Sequence, residues 1–213
     1  MTSPLTPIRQ WYAALEARKL AALTPELREE VLASQSRDWR QVVNQLIGPV
    51  PDEKPVFYQK HMTHHMLPEF GRGWIDQVKS AFLIRAPESV LASYVDKRAE
   101  VTLRDIGFVE QFEIFEQVAE RLGEAPPVVD AADILADPRR TLAALCDALA
   151  IPFRDEMLAW PPGRRREDGV WAPVWYQAVE ASTGFGPPRG PVSFDALADP
   201  LKPIATVART YYE

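Results

Sequence analysis

The three histidines of the chain, His61, His64 and His65, lie close together, directly after the apolar segment PVFYQ. An imidazole can act as a general base near pH 7 or as a metal ligand. A metal site needs several ligands in a suitable geometry, and the sequence has neither an HExxH motif nor a pair of cysteines. These histidines therefore fit a catalytic base, or the hydrogen bonds of a strand end, better than a metal site.

A second group of polar residues follows the apolar segment AFLI. Arg85 ends that segment, and Pro87 stands where the first turn of a helix would begin. Ser89, Ser93 and Lys97 recur at intervals of four, which places them on one face of that helix. Arginine binds phosphate through parallel hydrogen bonds, so this group could hold an anion. The alternative is an arginine that caps a sheet edge above serines tolerated in a helix.

The elements that would position these residues alternate between strands and helices. Short apolar segments, KPVFYQKHM, SAFLIRAP and APPVVDAADIL, are followed by helical patterns at 68–79, 88–102 and 137–150. This alternation predicts an α/β protein with a parallel sheet flanked by helices. Ligands of such sheets bind beyond the carboxyl ends of the strands, where Lys60 and Arg85 fall. Helices are also expected at 8–23, 24–35 and 38–48, the second with Thr24 as its cap.

We expect a single domain over 1–213, with a helical part at 1–50, an α/β core at 51–150 and a helical or loop-like region at 151–213. The net charge of −6 and the pI near 5.2 argue against a nucleic-acid partner. The basic segment GRRRE fits a solvated loop, with an anion clamp as the alternative. No apolar segment approaches the ~20 residues that span a bilayer, so no membrane association is expected. The single cysteine, Cys146, favours a reducing cytoplasm.

The segment from Arg85 to Ser93 resembles the 3′-phosphate-binding motif of sulfotransferases that use 3′-phosphoadenosine 5′-phosphosulfate (PAPS). In that family an arginine ends a strand, a proline follows, and a serine comes eight residues beyond the arginine, as Arg85, Pro87 and Ser93 do here. The segment PPVVDAADILADPRRTLAALCDALAIPF is similar to a later strand and helix of the same family. The segment EDGVWAPVWYQAVEASTGFGPP resembles one bacterial branch of sulfotransferase-like proteins.

The resemblance implies a P-loop sulfotransferase-like three-layer fold and assigns roles to the polar residues. Arg85 and Ser93 would hold the 3′-phosphate of PAPS, and Lys60 would stabilise the bridging oxygen or the sulfuryl group. One of His61, His64 and His65 would be the base, although the family's Lys-x-His spacing puts Met62 where the histidine is expected. A small-molecule acceptor is implied and no metal is. The acceptor pocket would be lined by aromatic residues, Trp171, Trp175, Tyr176 and Phe185.

The family's glycine-bearing phosphosulfate loop has no counterpart in the sequence. The first glycine is Gly48, and no GxxxxGKS or GxxxxGKT segment is present. We therefore expect the first strand and the P-loop to be missing and the domain to be N-terminally incomplete, with a sheet edge that favours a homodimer. Three hypotheses remain open: a sulfotransferase, a non-catalytic protein of the same fold, and another nucleotide-linked enzyme such as a small-molecule kinase. The missing loop favours the non-catalytic protein and weighs against the kinase.

Overall fold

The computed structural model describes residues 24–34, 36, 38–66, 70–95, 100–165, 168, 170 and 172–213. The chain divides into two compact units, one made of residues 1–53 and 160–183 and the other of residues 54–159 and 184–213. The helix expected at 8–23 lies outside the described residues. No helix in the described ranges is both long and apolar enough to cross a membrane.

The described part of the chain contains short strands and many helices. In chain order these are α1 Pro25–Ser34, α2 Trp39–Leu46, β1 Phe82–Ile84, α3 Pro87–Val95, α4 Leu103–Ile106, α5 Phe108–Leu122, β2 Val128–Asp130, α6 Ala131–Ala136, α7 Pro138–Ala148, α8 Ala172–Trp175, α9 Gln177–Glu180 and α10 Lys202–Arg209. Turns of 3-10 helix lie at Pro51–Glu53, Thr63–His65, Gly73–Gln77, Asp155–Met157, Phe194–Ala196 and Asp199–Leu201.

The first unit contains the two helices predicted near the start of the described chain. The Thr24 hydroxyl accepts a hydrogen bond from the backbone N–H of Leu27 at 3.3 Å, as expected of the residue that caps α1. Asp38 caps α2 in the same way, since its carboxylate accepts from the Arg40 N–H at 2.9 Å. These caps satisfy N–H groups that have no partner inside the helix.

The second unit contains a parallel sheet, with β1 paired to β2 in the register Phe82 to Val128 and Ile84 to Asp130. The predicted strands in SAFLIRAP and APPVVDAADIL are confirmed, as is the predicted helix at 137–150, which is α7 with Asp137 as its cap. The chain between the strands forms α3, α4 and α5, the crossover that a parallel pair requires. Arg85 therefore follows β1 at the carboxyl end of the sheet, as expected.

The predicted strand KPVFYQKHM is not observed, because residues 54–62 pair with no described strand. Its apolar side chains are exposed, Tyr58 to 81%. β-Formers make a strand only where a neighbouring strand accepts their backbone hydrogen bonds, and no strand in the described part of the chain does so here. The expected helix at 68–79 is likewise reduced to the 3-10 turn Gly73–Gln77 within the described residues. The helix expected at 88–102 is α3, which the structure describes over Pro87–Val95, and residues 96–99 lie outside the described residues.

Two apolar clusters hold the second unit together. The first packs α5 against the sheet, with Ile75, Phe82, Ile114 and Val118 buried in it. The second packs α10 and the preceding turns against α3, around the fully buried Leu91. Burial of one such side chain contributes about 1.5–3 kcal/mol. The helix α5 was not among the predicted elements, and α10 lies in the region predicted only as helical or loop-like, although each of them supplies buried residues to one of these clusters.

A tight contact joins the turn Thr63–His65 to the start of α5. Gly107 precedes α5 with a φ of 69°, and the Thr63 hydroxyl donates to its carbonyl at 2.9 Å. A Cβ atom on Gly107 would lie 2.7 Å from Thr63 Oγ1 and 3.1 Å from the backbone nitrogen of His64. Glycine is therefore required here both for its backbone angle and for the space it leaves.

Gly107→Ala is expected to lower the free energy of unfolding by about 2 kcal/mol, because it adds left-handed strain and a clash with the histidine turn. Gly123→Ala is the matched control, since Gly123 has a φ of 73° and no described atom lies within 4 Å of the place its new Cβ would take. The control should lose about 1 kcal/mol. Urea denaturation measures both losses, and equal losses would contradict the close approach at Gly107.

Candidate functional site

The loop after β1 presents a guanidinium group that no described residue engages. Arg85 is half-buried, and among the described residues it has no hydrogen-bond or ion-pair partner. Pro87 is fully buried at the start of α3, Ser89 is half-buried and Ser93 is exposed two turns along that helix. Lys97 lies outside the described residues. The donors of the Arg85 guanidinium are therefore not taken by a described residue, and the role of Arg85 and Ser93 in holding an anion stays a prediction.

Lys60 and His61 lie in the exposed stretch before the histidine turn. The His61 ring is 5.2 Å from the Trp74 ring, and its Nε2 is 3.1 Å from Gln59 Oε1. Desolvation lowers the pKa of His61, which favours the neutral imidazole. A neutral imidazole is the form that accepts a proton, so His61 has the protonation state that a general base needs near pH 7.

The other two histidines lie on the turn Thr63–His65 and are half-buried. Their rings meet edge to face, with centroids 4.2 Å apart. No group of histidine, cysteine, aspartate or glutamate in the described ranges has an arrangement that could hold a metal ion. The turn instead carries two imidazoles, and the hydrogen bond from Thr63 to the Gly107 carbonyl helps to fix their positions.

The first turn of α5 links the histidine turn to the strand that precedes Arg85. Gly107 accepts from the Thr63 hydroxyl, and Gln111 Nε2 donates to the Leu83 carbonyl at 2.9 Å. These two positions are one helical turn apart, about 6 Å along the axis. Sequence reasoning missed both residues, although a glycine directly before a helical pattern could have indicated Gly107.

Two acidic residues are already engaged by the C-terminal segment, one in the first turn of α3 and one at the end of β2. Glu88, only 5% exposed, accepts hydrogen bonds from Arg209. Asp130 accepts from the Tyr212 hydroxyl at 2.5 Å, and this bond raises the pKa of Tyr212 to about 12. None of these four residues was predicted from the sequence, because no local pattern marks contacts of this kind.

The role predicted for four aromatic residues, lining an acceptor pocket, stays a prediction. Trp171 lies outside the described residues, and only the backbone of Trp175 is described, in α8. Tyr176 is half-buried in the first unit, and Phe185 is 37% exposed in the second. In GRRRE, the Arg165 N–H donates to Asp168 at 2.7 Å, a contact typical of a loop.

A cavity of about 550 Å³ lies along β2, α6 and α7 and contains none of the predicted site residues. Its lining is mixed, with Val128 and Leu145 beside Asp133 and Arg140. The residues predicted to bind the donor or to act in catalysis therefore lie elsewhere on the second unit and not in this cavity.

The chain is similar in sequence to a known domain family and to two known proteins. A model of the sulfotransferase domain matches residues 8–210. The chain is 33% identical to branched-chain-amino-acid aminotransferase-like protein 1 of Arabidopsis thaliana over 189 residues, which are 86% of this chain and 34% of that protein. It is 33% identical to the like-named protein 2 over 162 residues, 76% of this chain and 28% of that protein. The chain thus spans about a third of the length of these relatives. No solved structure matches it.

Proposed function

The chain belongs to the sulfotransferase domain family, and from this premise we propose that it transfers a sulfuryl group from PAPS to a hydroxyl or amine of a small-molecule acceptor. The alternative within the same fold is a non-catalytic protein that binds the nucleotide without transferring the group. The names of the relatives refer to proteins about three times as long, so an aminotransferase activity is not carried over to this chain.

The observation that supports the proposal is the guanidinium of Arg85 at the carboxyl end of β1. Arginines of folded proteins usually bond to a carboxylate or carbonyl, whereas Arg85 has no such partner among the described residues. Its donors can therefore take a phosphate, and Ser93 on α3 could add a hydroxyl donor. The described residues suit the 3′-phosphate end of PAPS better than its phosphosulfate end, for which they offer no glycine-bearing loop.

In the proposed reaction the acceptor oxygen or nitrogen attacks sulfur, and the bond from sulfur to the bridging phosphate oxygen breaks. The acceptor proton passes to one of His61, His64 and His65, and 3′-phosphoadenosine 5′-phosphate leaves. Lys60 would stabilise the negative charge that develops on the bridging oxygen. The lowered pKa of His61 supports it as the base. The hydrogen bond from Thr63 to Gly107 fixes the turn that carries His64 and His65, and this supports either of them as the base. Placement of the acceptor in line with the sulfur matters as much as basicity.

Calorimetry with 3′-phosphoadenosine 5′-phosphate tests the proposal, with adenosine 5′-phosphate as the matched ligand. The first nucleotide should bind at least about tenfold more tightly, because only it carries the phosphate that Arg85 would hold. Equal affinities, or no binding at millimolar nucleotide, would contradict the donor site. Transfer from PAPS to 2-naphthol or aniline then separates the two candidate functions, since the non-catalytic alternative predicts binding without transfer.

A further inference from the structure

The buried carboxylate of Glu88 is bound by an arginine from the far end of the chain. Arg209 Nε and Nη2 both lie 2.6 Å from Glu88 Oε1. The Glu88 side chain is 7% exposed, whereas that of Arg209 is 42% exposed. The Arg209 guanidinium also lies over the Phe194 ring, 4.8 Å from its centroid. The arginine is thus held on two sides, and the buried charge has a fixed partner.

The helix that carries Arg209 is packed firmly against α3. Ala205 and Ala208 of α10 have no exposed surface, and Ala205 belongs to the same apolar cluster as Leu91 of α3. Small residues at these positions let the two helices approach closely. The ion pair therefore joins two surfaces that are already in contact, so holding the side chains in place costs little additional entropy.

Glu88 lies three residues beyond Arg85, a stretch of chain that spans at most about 11 Å. An uncompensated carboxylate so near would repel the phosphate that Arg85 is proposed to hold. Asp130, at the end of the neighbouring strand β2, is a second carboxylate near the carboxyl ends of the strands, and it also has bonding partners. Asp130 directs one oxygen to the Ala132 N–H at 2.7 Å and the other to the Tyr212 hydroxyl. Contacts from residues 209 and 212 therefore engage one carboxylate in the first turn of α3 and one at the end of β2.

We propose that Arg209 is a positioning residue that acts by cancelling the charge of Glu88, so that the loop of Arg85 can accept an anionic nucleotide. The inference rests on the proposed function. It extends the donor site from the strand end to the C-terminal helix, which the family motif does not include. Arg209 itself stays engaged with Glu88 and need not touch the ligand.

The test measures binding of 3′-phosphoadenosine 5′-phosphate to three variants by calorimetry. Arg209→Ala should bind about tenfold more weakly, because the charge of Glu88 is then unpaired. Glu88→Gln should bind at least as tightly as the unchanged chain, since its amide carries no charge. The double variant Glu88→Gln with Arg209→Ala should recover to within about threefold of the unchanged chain. A purely structural role for the pair would not give this recovery.

Lys202→Ala is the matched control, because Lys202 lies on the same helix in an ion pair with Asp199, whose side chain is 92% exposed, and it should bind normally. Near-ultraviolet circular dichroism checks the folding of each variant. If Arg209→Ala alone does not fold, the double variant is compared with Glu88→Gln, and a loss of about tenfold overturns the inference. Normal binding by a folded Arg209→Ala, or a double variant as weak as the single one, also overturns it. Failure of the unchanged chain to bind defeats the proposed function and the inference with it.

Discussion

Arg85→Ala is expected to weaken the binding of 3′-phosphoadenosine 5′-phosphate by about 10²–10³-fold. The loss is large because the guanidinium would supply the charged hydrogen bonds to the 3′-phosphate in a half-buried loop, where water compensates poorly. The free energy of unfolding should change by less than about 0.5 kcal/mol, because Arg85 has no partner among the described residues whose bond the variant would break. Calorimetry measures the first quantity and urea denaturation the second.

Arg154→Ala is a suitable control, because Arg154 is exposed and likewise forms no ion pair with a described residue. It should leave nucleotide binding unchanged. Arg85→Lys keeps the charge but loses the planar fork, so its affinity should fall between those of the unchanged chain and Arg85→Ala. Nucleotide binding that is the same in Arg85→Ala and the unchanged chain would rule out the assignment of Arg85 to the donor site.

The local parts of the fold could be predicted because each depends on residues close in sequence. Thr24 and Asp137 cap helices that begin within three residues of them, and Pro87 starts the helix expected after β1. The prediction of a strand at KPVFYQKHM was wrong because a strand depends on residues that are distant in sequence, namely those of its partner strand. An apolar segment rich in β-formers shows what could be buried, but not which neighbouring strand is present to bury it.

The supporting contacts of the site could not be predicted because they join distant parts of the chain. The bond from Arg209 to Glu88 spans 121 positions, and that from Tyr212 to Asp130 spans 82. Thr63 and Gly107 are 44 positions apart. Each pair is fixed by how the helices pack, which no local pattern encodes. The sequence could therefore indicate the arginine proposed to hold the nucleotide, but not the residues that support its loop.

Lys60→Ala is expected to lower the rate constant of sulfuryl transfer by about 10²–10³-fold while leaving the affinity for 3′-phosphoadenosine 5′-phosphate unchanged. In the proposed reaction the lysine acts on charge that develops only as the bond to sulfur breaks, so its contribution appears in the transition state. Stability should be unaffected, because Lys60 is exposed. Single-turnover transfer from PAPS to 2-naphthol measures the rate, and calorimetry measures the affinity.

Lys54→Ala provides the comparison, because Lys54 lies in the same exposed stretch of chain and has no proposed role. It tests whether Lys60→Ala acts only by removing a positive charge that attracts the nucleotide. In that case both variants would bind the nucleotide more weakly, and the difference from the unchanged chain would shrink at high salt. A loss of transfer rate in Lys60→Ala but not in Lys54→Ala would show that the Lys60 ammonium group acts directly on the reacting atoms. Transfer at the normal rate by Lys60→Ala would remove the lysine from the mechanism and leave the stabilisation of the leaving group to a residue outside this stretch.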